Sequence, residues 1–268
     1  MSDPHPRLVL EDPADVEYTA RAIAGGAIVG HPFGNIYALT ARPDPDSVRR
    51  LNRLTGSPAE QPGSLVTTRP RLPALFDWSS LPAGLSRPAI IRLIDQLLGL
   101  GPCGFRGPAA EEIPDHLVAW VDDVRTARLE SPGYRCGSNI LLGRAMQLLD
   151  VGYLCLTTVE DEPAHLTAAS LVDRFGQEPA GLALVVGHTD DSAASAAYRQ
   201  HAPAAPTVLA FHTLGTPAAP GRVRLPVERQ GSLADDTLRE SLDAVGLGLD
   251  SKPTLLPIAK HPSLSAEV

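Results

Sequence analysis

The residues of this 268-residue chain best suited to chemistry stand where apolar runs end. His31, Asn35 and Tyr37 follow the apolar stretch at 27–30. They offer an imidazole, an amide and a phenol that could hydrogen-bond a polar ligand, with Tyr37 walling the same pocket. A loop cap for the first two and simple packing for the third are the competing readings. The segment GPCGFRGPAA at 101–110 has the glycine content of a phosphate loop. It lacks the Gly-Lys-Ser/Thr ending, so it reads as a shaped loop beside a pocket. Asp115, His116, Asp122 and Asp123 are metal-ligating types, yet Asp115 suits a helix N-cap and the later pair a solvated helix end, so no metal is expected. Glu160, Asp161, Glu162 and His165 read as an acidic loop, one that repels an anion unless a cation intervenes. Ser64 and Ser138 lack a Gly-x-Ser-x-Gly context, which removes support for a hydrolase triad. Cys103, Cys136 and Cys155 are odd in number, far apart and without a Cys-x-x-Cys pair, so neither a disulfide framework nor a zinc site is signalled.

The elements that must position these residues follow from periodicity and punctuation. With 43% hydrophobic residues the chain can bury a full core, and its 26 prolines and 23 glycines imply many short elements between definite turns. Asp12 or Asp15 caps a first helix that runs to about Ala24 and stops at Gly25 and Gly26; AIVG is then a buried strand. In the helix predicted at 45–55, Val48, Leu51 and Leu54 share a face. A strand SLVTT, an amphipathic helix RPAIIRLIDQLLGL and a shorter helix beginning at Asp115 follow. Next come a strand VRTARLE, a helix SNILLGRAMQLLD capped by Ser138 or Asn139, a strand GYLCLTT, a helix TAASLVDRFG and strands GLALVVG, PTVLAFH and RVRLPVE. A helix LADDTLRESLDAVG closes at Gly246. Alternating strands and helices predict an α/β sheet covered by helices, in one domain over 1–246 with a tail at 247–268.

The net charge of −8 gives no broad electrostatic pull toward nucleic acid. The N-terminus lacks a basic and apolar leader, and no apolar run reaches spanning length, so a soluble cytoplasmic protein without a membrane role is expected.

The order of elements and the motif positions resemble the YrdC/YciO-type domain of L-threonylcarbamoyladenylate synthases from about Ala14 to Gly246. Against the family's Pro-Thr-Asp-Thr-x-Tyr-Gly-Leu stand Pro32, Phe33, Gly34, Asn35, Ile36, Tyr37, Ala38 and Leu39. Against Lys-Gly-Arg-Pro stand Thr55, Gly56, Ser57 and Pro58, which keep the backbone punctuation and lose both charges. A family arginine before a proline on a strand is matched to Arg135, with Gly137 at the proline position. Thr-Ser-Ala-Asn-x-Ser-Gly is matched to residues 155–161, including Leu156, Thr157 and Thr158. A Pro-Ser-Thr-Val-Val strand is matched at Thr207 and Val208, and Leu-Arg-x-Gly at Arg229 and Gly231.

The resemblance implies a twisted mixed sheet flanked by helices, with a concave ligand-binding face. It also implies condensation of L-threonine, bicarbonate and ATP with Mg2+ in tRNA modification, and no tightly bound cofactor. Each charge-assisted hydrogen bond is worth about 1.5–3 kcal/mol, so losing two phosphate-facing cations weakens triphosphate binding by about two to four powers of ten. The expectation is therefore a diverged member that binds a nucleotide or adenylate-type ligand, with the parent activity altered or lost. Its substrate would be another amino acid, carbamate or acyl-adenylate. A functioning synthase and a noncatalytic RNA- or nucleotide-binding module are the alternatives. The ligand-binding set expected is His31, Asn35, Tyr37, Thr55, Ser57, Arg135, Thr157, Thr158 and Arg229, with Arg135 and Arg229 converging on one anion and with no residue assigned as catalytic.

Overall fold

The computed structural model describes residues 8–159, 164–176, 181–215 and 222–250. The acidic residues Glu160, Asp161 and Glu162 and the chain from 251 onward lie outside them. The strands are β1 (Leu8–Val9), β2 (Val29–Phe33), β3 (Ile36–Ala41), β4 (Ser64–Val66), β5 (Cys103–Pro108), β6 (Ala119–Val121), β7 (Val124–Ser131), β8 (Leu154–Thr157), β9 (Leu184–Gly187), β10 (Thr207–Ala210), β11 (Arg224–Arg229) and β12 (Gly248–Asp250). The α-helices are α1 (Pro13–Ala24), α2 (Pro45–Leu54), α3 (Arg87–Leu100), α4 (Ser138–Leu149), α5 (Ala168–Phe175), α6 (Asp191–Ala196) and α7 (Asp235–Asp243). Eleven strands run in the order β1-β9-β2-β3-β8-β4-β7-β5-β10-β11-β12, with β6 hairpinned onto β7. It contains both parallel and antiparallel pairs, as in β10 parallel to β5 and antiparallel to β11, which makes the sheet mixed.

Local chemistry accounts for the helix starts. Asp12 accepts from the Ala14 amide and Asp44 from Ser47, each with proline at the first helical position, where no amide donor is needed. Ser138 does not cap α4: its hydroxyl donates to the Pro32 carbonyl at 2.5 Å, and Gly137 takes the cap position without a side-chain bond. The helix expected from Asp115 is a single 3-10 turn, Asp115–Leu117, followed by β6. Asp122 and Asp123 adopt φ of 48° and 61° and form the two-residue turn of the β6–β7 hairpin. Segment 101–110 is no loop either. Its core is β5, a central strand, and Gly104 and Gly107 admit the side chains of Val208 and Phe211 where a Cβ would collide. The expected tail also begins inside the sheet, because β12 pairs with β11.

The two faces of the sheet differ. Leu39, Leu65, Phe105, Leu129, Cys155 and Leu209 point to one face and are buried under α2, α3 and α7. On the other face α1 and α4 pack over Val29, Phe33, Ala38, Val66, Leu154 and Leu156. Beyond those residues the second face turns polar.

Candidate functional site

Alternation along a strand sends neighbours of a buried leucine to the opposite face. Ser64 beside Leu65, Arg128 and Glu130 on either side of Leu129, and Arg106 beside Phe105 therefore share the face that α1 and α4 leave. Registration sets Arg106 opposite Arg128. Strand β11 completes the strip through an irregularity. Val208 pairs with Arg229 and Leu209 with Val227, so Glu228 is an extra residue. Such a bulge lets Glu228 and Arg229 both turn toward the strip, where regular alternation would part them.

Glu130 is the centre of this strip, with a side chain fully buried. Its Oε1 accepts from Ser64 Oγ at 2.8 Å, and its Oε2 accepts from Arg229 Nη2 at 2.6 Å and Thr158 Oγ1 at 2.9 Å. Arg128 Nε donates to Ser64 Oγ at 2.7 Å and lies 3.4 Å from Glu130. Burial works to raise the Glu130 pKa, but the charges of Arg229 and Arg128 and the hydrogen bonds from Ser64 and Arg229 outweigh it and hold the carboxyl at about 2. A second pair stands alongside, where Arg106 donates from Nε and Nη2 to the two oxygens of Glu228 at 2.6 and 2.8 Å. This two-pronged geometry is the strongest form of the guanidinium–carboxylate contact. His212 borders this pair; both its ring nitrogens are buried without a partner among the described residues, and burial with the Arg106 charge pushes its pKa down to about 4. A depression lined by Gln61, Pro62, Gly63, Arg106, Leu117, Ala119 and Arg128 holds about 10 Å³, space for about one water.

The structure distributes the expected site residues unevenly. Thr158 and Arg229 meet, both bound to Glu130, with 3.4 Å between their polar atoms. Arg135 is not among the residues bonded to Glu130. It is exposed in the turn between β7 and α4. The strand itself ends at Ser131 before Pro132, so the strip-facing residue ahead of the proline is Glu130, an acid where the resemblance leads one to look for an arginine. Thr157 registers with Leu39, whose face is the one under α2, α3 and α7. His31 is fully buried, bonded to the Pro32 carbonyl at 2.8 Å and Thr40 Oγ1 at 2.7 Å, and burial pushes its pKa down to about 4. Tyr37 donates to Asp191 at 2.5 Å within the core on the other face, and burial followed by the Asp191 charge raises its pKa. Asn35 Nδ2 donates to the Ala202 carbonyl at 2.6 Å, while its Oδ1 is buried without a partner among the described residues. Thr55 caps the end of α2 and bonds Leu51 and Ser57, and Ser57 stands four residues ahead of the segment that lines the depression.

Sequence reasoning missed Arg106, Arg128, Glu130, Glu228 and His212. The alternation in TARLES was the available signal, since it places Thr126, Arg128 and Glu130 on one face. Burial pushes the thiols of Cys103 and Cys155 up to about 12, so neither is a nucleophile. Among the described residues no group of three or more His, Cys, Asp or Glu side chains could hold a metal, and no helix is long and apolar enough to cross a membrane.

No protein-family model and no curated protein matches this sequence. Solved structures do. Sua5 of P. abyssi, complexed with L-threonine, superposes with a TM-score of 0.60 at 15% identity, over 89% of this chain and 60% of that one. YciO of E. coli superposes at 0.58 with 14% identity, over 87% of this chain and 96% of the other. The chain has a YrdC-like fold. The YrdC-like domain also superposes on full-length HypF in its phosphate- and nucleotide-bound form, at a TM-score of 0.52 and 15% identity, over 81% of this chain and 29% of that one. The domain thus spans 60% of the length of Sua5.

Proposed function

We propose that this YrdC-like domain binds a nucleotide or adenylate-type ligand at the polar strip, with L-threonylcarbamoyladenylate synthesis altered or lost. The supporting observation is the convergence of Arg106, Arg128 and Arg229 with Ser64 and Thr158 on one sheet face. Guanidinium groups flanked by hydroxyls are the donors that phosphate and carboxylate oxygens require. Two proteins of similar fold are described as holding L-threonine and as bound to phosphate and nucleotide, which favours the same ligand classes here. Loss of the parent activity is favoured by Thr55 and Ser57, which carry no charge, and by Glu130, whose carboxylate repels phosphate. An active form would be an acyl- or carbamoyl-adenylate-forming enzyme using ATP with Mg2+ and a small amino acid, carbamate or acyl substrate.

The test is thermal unfolding across AMP, ADP, ATP with and without Mg2+, and a set of amino acids including L-threonine. A ligand at 100 times its Kd stabilises by about 2.7 kcal/mol, an easily read shift. At least one of these compounds raises Tm, while threonine, bicarbonate and ATP together yield little or no threonylcarbamoyl-adenylate by mass. No shift with any compound refutes the binding reading, and robust product refutes the altered activity.

A further inference from the structure

Among the described residues the charged groups of the strip are three arginines and two glutamates, and the carboxylates already occupy contacts an anionic ligand would seek. Glu228 fills both prongs of Arg106, and Glu130 takes Arg229 Nη2. Arg128 is the least compensated. Its nearest carboxylate oxygens stand at 3.4 Å on Glu130 and 3.8 Å on Glu228, and its side chain keeps 21% exposure against 5% for Arg106 and 15% for Arg229. Arg128 also lines the depression beside Gln61, Pro62 and Gly63. His212 adds no charge near neutral pH. Among the described residues, three positive and two negative side chains leave a balance of one positive charge.

The geometry points to Glu130 and Glu228 as specificity-determining residues that set the charge of the ligand: together they reserve the strip for one group of low charge, such as a carboxylate, phosphodiester or monophosphate, received at Arg128, and exclude a polyphosphate. This rests on the ligand-binding reading above and deepens it. The physical reason is that each carboxylate is covalently part of the chain. A polyphosphate must displace it from its arginine or endure its repulsion, whereas a group of low charge needs only Arg128. The resulting preference opposes the one that uncompensated arginines would give, in which affinity climbs with ligand charge.

Calorimetric titration of the wild type, Glu130→Gln and Glu228→Gln with AMP and ATP, in magnesium-free buffer, tests the assignment. The wild type binds ATP no more tightly than AMP. Each variant frees a guanidinium, and the ATP-to-AMP affinity ratio rises about tenfold, the lower end of what one charge-assisted bond supplies once screening is allowed for. In Glu130→Gln, ATP also raises Tm more than it does in the wild type, because it supplies the counter-charge that was removed. An unchanged ratio with binding intact overturns the specificity role and leaves the ligand-binding reading standing. A wild type that prefers ATP overturns it whether or not the variants fold. Loss of all binding by the wild type, to both nucleotides and to L-threonine, overturns both.

Discussion

Replacing Arg229 by methionine keeps much of the side chain's volume and removes the closest charge on Glu130. The carboxylate then remains fully buried with Ser64 and Thr158 as donors and Arg128 at 3.4 Å. Breaking one partner out of a buried pair costs about 3–5 kcal/mol, and the residual donors place Arg229→Met near the lower end. Proton linkage gives a similar size independently. A carboxyl held at about 2 in the fold against an ordinary 4.5 contributes about 3 kcal/mol of stability near neutrality. The sign is fixed by the depressed value: this stability is complete above 4.5 and is lost as pH falls toward 2. In the variant, burial prevails and Glu130 takes up its proton at higher pH, so its penalty is present near neutrality and relaxes in acid. Urea unfolding of both proteins near pH 7 and near pH 3 should show a gap of about 3 kcal/mol that narrows at the lower pH. A gap of about 1 kcal/mol or less at neutrality, the worth of a surface pair, would refute the argument. So would a gap that stays constant into acid.

Two further predictions concern the frame around the strip. Burial depresses His31, His201 and His212 from 6.5 to about 4, so their neutral forms stabilise the fold fully above 6.5 and this contribution is lost as pH falls to 4. Urea midpoints should drop across that window, and His31→Gln should flatten the slope by about one proton; an identical slope would show that His31 is not held neutral. Gly107→Ala drives a methyl into the Phe211 ring, which stacks on Trp78 at 6.1 Å and meets Phe76 edge-on at 4.8 Å. Overpacking there should cost about 1–3 kcal/mol in thermal unfolding with loss of near-ultraviolet dichroism from the aromatic group, and a neutral substitution would deny the close packing.

The helices were legible because their signals are local. The capping residue Asp12, the shared face of Val48, Leu51 and Leu54, and the apolar spacing of Ile90, Leu93, Ile94 and Leu97 mark α1, α2 and α3 within a few residues of sequence. Two errors arose where periods compete. Residues 115–123 have apolar positions that fit a helix almost as well as a strand, and only the hairpin partner β7 decides between them. Segment 101–110 looked like a loop because its glycines and prolines usually break strands; here the glycines make room for Val208 and Phe211 from a neighbouring strand over 100 residues away in sequence.

The site divides along the same line. By itself the sequence determined an α/β chain, an acidic balance, the absence of lysine and arginine at Thr55 and Ser57, and the fact that Arg229 and Thr158 are present. Only tertiary structure decided that these last two meet at Glu130 and that Arg106 and Arg128 face one another. The reason is that a side chain's partner across a sheet depends on register between distant strands, and a register offset of one residue sends it to the opposite face. Composition counts the charges; the bulge at Glu228 and the pairing of β5, β7 and β11 through β10 determine which of them neutralise each other.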